Sequence, residues 1–180
     1  MSAFFVRVDH AERRLCLLAN AACRRRFIRH TFRVVSRLGD GIFWYVLMAA
    51  MPIIAWTGGR SITQGLWISL EMFTAGAFGL LLYKTLKYRL VRERPYIGLI
   101  GIECAMPPLD RYSFPSGHTL HAVMFTAIAI SHVPELAVLL VPFALLVAAS
   151  RVVLGLHYPT DVLAGALLGA LIAQGSNSLF

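Results

Sequence analysis

The sequence predicts an all-α, multi-pass membrane bundle of about five transmembrane helices, preceded by an amphipathic interfacial helix. Three observations predict it. Of 180 residues, 58% are hydrophobic and only 14% are charged, against about 25% charged in an average soluble domain. A soluble fold of this length could not hide so much apolar surface, because roughly 55–60% of a folded surface is apolar already. Five apolar stretches follow one another, each near the ~17–25 residues that cross a bilayer. Among them, the only undoubted acidic charge inside a span is Glu71.

Residues 1–40 form a basic arm. Nine arginines alternate there with Phe4, Phe5, Leu15, Leu17, Leu18, Phe27, Ile28, Phe32, Val34, Val35 and Leu38. Phe27, Val34, Val35 and Leu38 recur at near-helical spacing, so the arm is expected to lie in the headgroup plane as an amphipathic helix. A solvated basic tail is the alternative. The apolar run 15–23 is short and flanked by arginine on both sides, which is not the pattern of a signal peptide.

Residues 41–180 form the membrane domain, with spans expected at 42–57, 62–86, 117–133, 136–153 and 160–175. The breaks at 58–61 and 134–135 are tight. The long connection, 87–116, is rich in Pro, Gly and charge. The last span carries Gly165 and Gly169 with Ala166 and Ala170 beside them, a spacing of small residues that lets helices approach closely in lipid. Cys16, Cys23 and Cys104 are odd in number and match no zinc spacing, so they read as free thiols.

The formal charge is +8. The basic residues interrupt apolar runs and build no nucleic-acid module. The expected partners are therefore an anionic bilayer surface and a phosphate-bearing substrate, not nucleic acid.

Three polar clusters interrupt the apolar background. Lys87 and, seven residues on, Arg94-Pro95 follow the second span. Pro115-Ser116-Gly117-His118 opens the third. Ser150-Arg151, His157 and Asp161 straddle the turn between the fourth and fifth. Alternating spans bring all three clusters to one membrane face. Lys87, Arg94 and Arg151 supply three positive charges, and the arginine fork matches phosphate oxygens. Ser116 and the amides near Gly117 sit at a helix start, a natural anion site, and Gly117 lets the backbone approach an anion closely. His157 and Asp161 stand four apart, so the carboxylate can accept the imidazole Nδ1 proton and leave Nε2 free to attack. His118 can serve as general acid. Singly, each of these residues reads as a satisfied polar group or a snorkelling cation. Their occurrence together, in order and on one face, is what points to chemistry.

Lys87-x6-Arg94-Pro95, Pro115-Ser116-Gly117-His118 and Ser150-Arg151-x5-His157-x3-Asp161 resemble the three signature motifs of the type 2 phosphatidic acid phosphatase (PAP2) superfamily. The resemblance covers 87–161 and fills every signature position. It implies a helical bundle with the site in its core. It implies His157 as the residue that forms phosphohistidine, Asp161 as its orienter and His118 as proton donor. Lys87, Arg94, Ser116, Gly117 and Arg151 would hold the phosphoryl oxygens, with no metal and no cofactor. Members with six spans have one more helix before the first motif; here the arm takes its place.

The activity this implies is a metal-independent phosphoric monoester hydrolase acting on a lipid phosphate such as phosphatidic acid or phosphatidylglycerophosphate. The alternative is an undecaprenyl-diphosphate phosphatase in carrier-lipid recycling, which would use the same site. A vanadate-dependent peroxidase is disfavoured by the spans, and a non-enzymatic membrane protein by the complete motifs. The lipid and the oligomeric state are not legible.

Glu71 lies 16 residues before Lys87, about 24 Å along a helix at ~1.5 Å per residue, and is expected to pair near the opposite face with His132 or Gln174. His121, one turn after His118, reads more readily as a helix contact than as part of the site. Glu103 and Asp110 lie in the loop over the site and take no assigned role. The family resemblance implies a bacterial inner-membrane protein with its site outside the cytoplasm. The charges point the other way. Of 17 Lys and Arg residues only Arg60 lies across the membrane from the motifs, and cytoplasmic loops carry the Lys/Arg excess.

Overall fold

A computed structural model describes residues 3–179, without the side chains of residues 3–7 and 10. The apolar pair Phe4 and Phe5 of the arm thus lies outside the described side chains. Among the described residues every regular element is helical, with no strand. The helices are α1 (Ala3–Ala21), α2 (Arg26–Arg37), α3 (Phe43–Thr57), α4 (Ile62–Leu90), the single turn α5 (Pro95–Gly98), α6 (Gly117–His132), α7 (Ala137–Val153) and α8 (Pro159–Asn177). Three stretches are long and apolar enough to cross a membrane: Arg26–Thr57, Ile62–Gly98 and Pro134–Val153.

Helix α6 is the axis of the bundle. Most of its side chains are buried by contact with α4, α7 and α8. Its closest partner is α8, and the reason is steric. A Cβ added at Gly165 would stand 2.5 Å from the Ser116 carbonyl oxygen, and one at Gly169 2.4 Å from that of Leu120. Only glycine lets the two backbones meet at this distance. The expectation of close helix contact at these positions holds, and its consequence is functional: it presses the start of α8 against the start of α6.

The helix ends are set locally. Ser61 opens α4 with a capping box, its Oγ accepting from the Gln64 amide at 3.1 Å while Gln64 Oε1 accepts from the Ser61 amide at 2.9 Å. Helix α4 stops at Val91, which takes a left-handed φ of 34°. That conformation is unusual for a β-branched residue, and it turns the chain so that Arg92 and Arg94 point inward, each about 1% exposed or less.

At the end of the bundle away from the motifs, Glu71 is buried. Its Oε2 lies 2.7 Å from His132 Nε2, and its Oε1 accepts from Ser176 Oγ at 2.9 Å. The expected His132 partner is present; Ser176, two residues further along α8, takes the place considered for Gln174. The cysteines are free thiols, Cys16 and Cys23 buried and Cys104 exposed.

The arm packs onto the motif-bearing end of the bundle. Helix α2 lies along α7, and α1 contacts α7 and α8. On α1 the buried residues are Asp9, Glu12, Cys16 and Asn20, one helical face, while Leu15 and Leu18 are exposed. The polar face of this helix points inward.

Candidate active site

The three clusters converge on one cavity of about 370 Å³. Lys87, Arg94, Gly117, His118, Arg151 and His157 all line it. Of the residues singled out in the sequence, Asp161 and Ser116 stand behind the wall. Asp161 is fully buried beneath His157. Ser116 uses its Oγ as the N-cap of α6, accepting from the Thr119 amide at 3.4 Å and meeting Thr119 Oγ1 at 2.9 Å.

The turn that carries His157 is fixed from both sides. The amides of Leu156 and His157 donate to the Arg151 carbonyl at 3.1 and 3.0 Å. Arg94 Nη1 donates to the Leu156 carbonyl at 2.8 Å and lies 3.3 Å from His157 Nε2. Arginine only donates, so Nε2 must face it with its lone pair, and the ring proton belongs on Nδ1. Nδ1 lies 3.5 Å from Asp161 Oδ2. Burial holds His157 well below its ordinary value, and Arg94, Arg151, Lys87 and His118 add to the effect. Both effects favour the neutral imidazole.

The Asp161 carboxylate is held on both oxygens. It sits at the third position of α8, where its Oδ2 accepts from the Tyr158 amide at 2.9 Å. Its Oδ1 takes Arg92 Nη1 at 2.5 Å. Arg92 in turn pairs with Asp9 at 2.6 Å and Glu12 at 3.0 Å, and lies over the Tyr158 ring at 3.9 Å. Sequence reasoning passed over this arginine, because its place depends on the reversal at Val91 and on partners about 80 residues away. The carboxylates of Asp9 and Glu12 were hidden for the same reason, in an arm read through its apolar residues.

The phosphate-matching cations are not idle. Lys87 Nζ meets Asp110 Oδ2 at 2.6 Å and Arg94 Nη2 meets Asp110 Oδ1 at 2.7 Å. Arg151 Nη1 donates to Ser36 Oγ, while its Nε is buried with no hydrogen-bond partner. Asp110, left without a role in the sequence, therefore bridges two of the three cations. Glu103 is remote from them and pairs with Arg29 at 3.0 Å. His121 does line the cavity, with its ring nitrogens 2.9 Å from the Gly117 carbonyl and 3.3 Å from that of Gly76.

Away from the cations the cavity wall turns apolar, with Trp44, Met48, Phe73, Leu80 and Phe125. The site is thus charged at one end and greasy at the other.

A family model described as the PAP2 superfamily matches residues 65–179. The chain belongs to the PAP2 superfamily. It is similar to the decaprenylphosphoryl-5-phosphoribose phosphatase of Mycolicibacterium smegmatis, 34% identical over 74% of this chain and 68% of that one. It is similar to phosphatidylglycerophosphatase B of Bacillus subtilis, 30% identical over 83% of this chain and 73% of that one. The crystal structure of a transmembrane PAP2-type phosphatidylglycerolphosphate phosphatase from Bacillus subtilis superposes with a TM-score of 0.73, covering 99% of this chain and 87% of that one at 25% identity. The protein is a PAP2 membrane phosphatase, and the PAP2 match begins beyond the arm, so the carboxylates of α1 that surround Arg92 lie outside it.

Proposed function

We propose that the protein hydrolyses a lipid phosphate monoester through a phosphohistidine on His157, without a metal ion. The observation that carries this reading is the lone pair of His157 Nε2, 3.3 Å from Arg94 Nη1, in a cavity also lined by Lys87, Arg151 and His118 and continuing into an apolar wall. In the first step His157 Nε2 attacks phosphorus in line, and His118 protonates the departing lipid oxygen. Water then attacks the phosphohistidine, with His118 taking its proton. Lys87, Arg94, Arg151 and the Ser116–Gly117 start of α6 hold the equatorial oxygens. Asp161, anchored by Arg92, orients His157. The apolar wall matches an acyl or prenyl chain and would hold little of a small soluble ester.

Helices α3, α4, α6, α7 and α8 serve as five spans, and α1 and α2 lie at the interface on the same side as the site. Exposed Arg13, Arg14, Arg24, Arg25 and Arg26 suit an anionic headgroup layer there. The Lys/Arg excess on this side favours the cytoplasmic leaflet of a bacterial inner membrane. A fusion to alkaline phosphatase after Phe180 is then active and a green fluorescent protein fusion dark; the reverse pattern puts the site outside.

One finding favours a second substrate class: the mycolicibacterial relative is named for a polyprenyl-linked phosphate. Undecaprenyl diphosphate is therefore the alternative. Phosphate release measured over phosphatidic acid, phosphatidylglycerophosphate and undecaprenyl diphosphate, with wild type and His157→Ala, separates them. The reading expects a monophosphate lipid to lead and the variant to be inert. A variant that retains more than a trace of turnover removes His157 as nucleophile.

A further inference from the structure

The sequence Gly39-Asp40-Gly41 lies between α2 and α3, outside all three motifs and before the matched family region at 65–179. The structure turns this segment into a wide helical turn, Leu38–Ile42, joining α2 to α3. Both glycines are required by geometry. A Cβ at Gly39 would stand 2.7 Å from the Val147 side chain, and Gly41 has φ of 124° with a Cβ position 2.9 Å from the Tyr45 ring. Such a conformation is open to glycine and strained for other residues. The turn carries Asp40 into the cavity wall, where its Oδ1 lies 3.3 Å from His118 Nε2.

His118 has a demanding environment for an acid. The imidazolium form is opposed by Lys87, Arg94 and Arg151, which line the same cavity, and His121 and His157 face it as well. The cavity holds two carboxylates. Asp110 is taken by Lys87 and Arg94; Asp40 is the one beside His118.

We propose that Asp40 is the positioning residue of His118: it accepts the Nε2 proton, fixes the ring, and leaves Nδ1 to exchange a proton with the reacting oxygens. This rests on the reading of His118 as the general acid. As the bond from His157 Nε2 to phosphorus forms and the bond to the lipid oxygen breaks, that oxygen takes the Nδ1 proton. His118 is then neutral, with its Nε2–H still directed at Asp40. In the second half, water oxygen bonds to phosphorus, the P–N electron pair returns to His157, and the proton of water goes to His118 Nδ1.

The dependence on leaving group tests it. An alkyl ester needs its oxygen protonated; p-nitrophenyl phosphate does not. The full chain in detergent is assayed for kcat/KM on short-chain phosphatidic acid and on p-nitrophenyl phosphate, as wild type, His118→Ala, Asp40→Asn, Asp40→Glu and the His118→Ala/Asp40→Asn double variant. His118→Ala is expected to lose on the order of 10²–10⁴-fold on the alkyl ester and far less on the aryl ester. Asp40→Asn should lose about 10–100-fold on the alkyl ester and only a few-fold on the aryl ester, less than the loss of the general acid itself. Asp40→Glu should recover part of the difference. The double variant should match His118→Ala, since residues acting as a unit are not additive. Equal losses on both esters for Asp40→Asn, or a double variant showing the product of the single losses, overturn the proposal while leaving His118 as acid. A His118→Ala variant that treats both esters alike overturns the acid reading itself, and the role of Asp40 with it. Aryl-ester turnover reports in every case that the variant is folded; should Asp40→Asn lack it, Asp40→Glu compared across the two esters decides, equal losses again refuting the role.

Discussion

Asp110 holds two of the three cations proposed to bind the phosphoryl group, so neutralising it should tighten the binding of oxyanions. Its carboxylate meets Lys87 Nζ at 2.6 Å and Arg94 Nη2 at 2.7 Å, and its side chain is 38% exposed. A hydrogen bond to a charged group contributes about 1.5–3 kcal/mol, while an exposed ion pair contributes about 0.2–1 kcal/mol. A carboxylate more than one third exposed lies between these limits, at about 1 kcal/mol for each contact. Substrate must displace both contacts, a cost of about 2 kcal/mol, or about 30-fold in affinity at 1.4 kcal/mol per decade. In Asp110→Asn the amide oxygen still accepts weakly, and the Arg94 Nε bond to the Asp110 carbonyl at 3.0 Å remains. The expected gain is therefore about five- to 30-fold. The assay is competitive inhibition by vanadate, whose trigonal-bipyramidal form resembles the phosphoryl group in flight, with Ki compared between wild type and Asp110→Asn at low ionic strength. A Ki unchanged within about twofold, or a weaker one, would show that Asp110 orders the cations for the anion and does not compete with it.

Activity is expected to survive a strong chelator, because Lys87, Arg94 and Arg151 already line the cavity; loss in chelator that Mg²⁺ restores would contradict this. Glu71→Ala should lower stability by about 1–3 kcal/mol through the unpartnered groups left on His132 and Ser176, with KM unchanged because the cluster sits at the far end of the bundle; a shifted KM argues otherwise. Glu12→Ala should cost about 2 kcal/mol in thermal stability and lower kcat more than KM, since Glu12 accepts from the Thr160 amide and hydroxyl at 2.7 Å each and from Arg92 at 3.0 Å. An unchanged kcat would detach the arm from catalysis. Burial holds the folded His157 well below its ordinary value, so unfolding below about pH 6.5 takes up a proton. This contribution leaves stability intact above that pH and lowers it as pH falls toward the folded pKa. Melting in detergent at pH 7.5 and 5.5 measures it, and His157→Gln should show a smaller acid loss than wild type.

Helix positions were legible because apolar runs and polar breaks alternate. The expected stretch 62–86 corresponds to α4, Ile62–Leu90, and 117–133 to α6, Gly117–His132. The convergence of Lys87, Arg94, Gly117, His118, Arg151 and His157 was legible from counting spans. Their partners were not. Asp110 lies in a connection with no periodicity, and its path over Lys87 and Arg94 is decided by tertiary contacts. Arg92 looked like one more interfacial cation. A local signal did exist for the start of α8: Pro159 followed two residues later by Asp161 marks a first turn with a carboxylate at its third position. That position has Asp161 bind the Tyr158 amide as well as support His157.

Helix α1 carries a polar pattern that the apolar residues of the arm do not reveal. On α1 the buried face is Asp9, Glu12, Cys16 and Asn20, and the exposed face includes Leu15 and Leu18 beside Arg13 and Arg14. In water this is inside out. It is consistent with the interfacial placement proposed above, in which the outward leucines would meet lipid and the arginines its headgroups. The inward face has a separate logic. Arg92 is fully buried, and a buried cation is costly unless paired. Asp161 alone would pair with it, but Asp161 also uses Oδ2 for the Tyr158 amide, 3.5 Å from the His157 ring. Asp9 and Glu12 take up the rest of the guanidinium, at Nε and Nη2 distances of 2.6 to 3.0 Å. The arm thereby leaves Asp161 free to divide its two oxygens between Arg92 and the turn that carries His157. A segment outside the family's matched region is in this way built into the support of its central histidine.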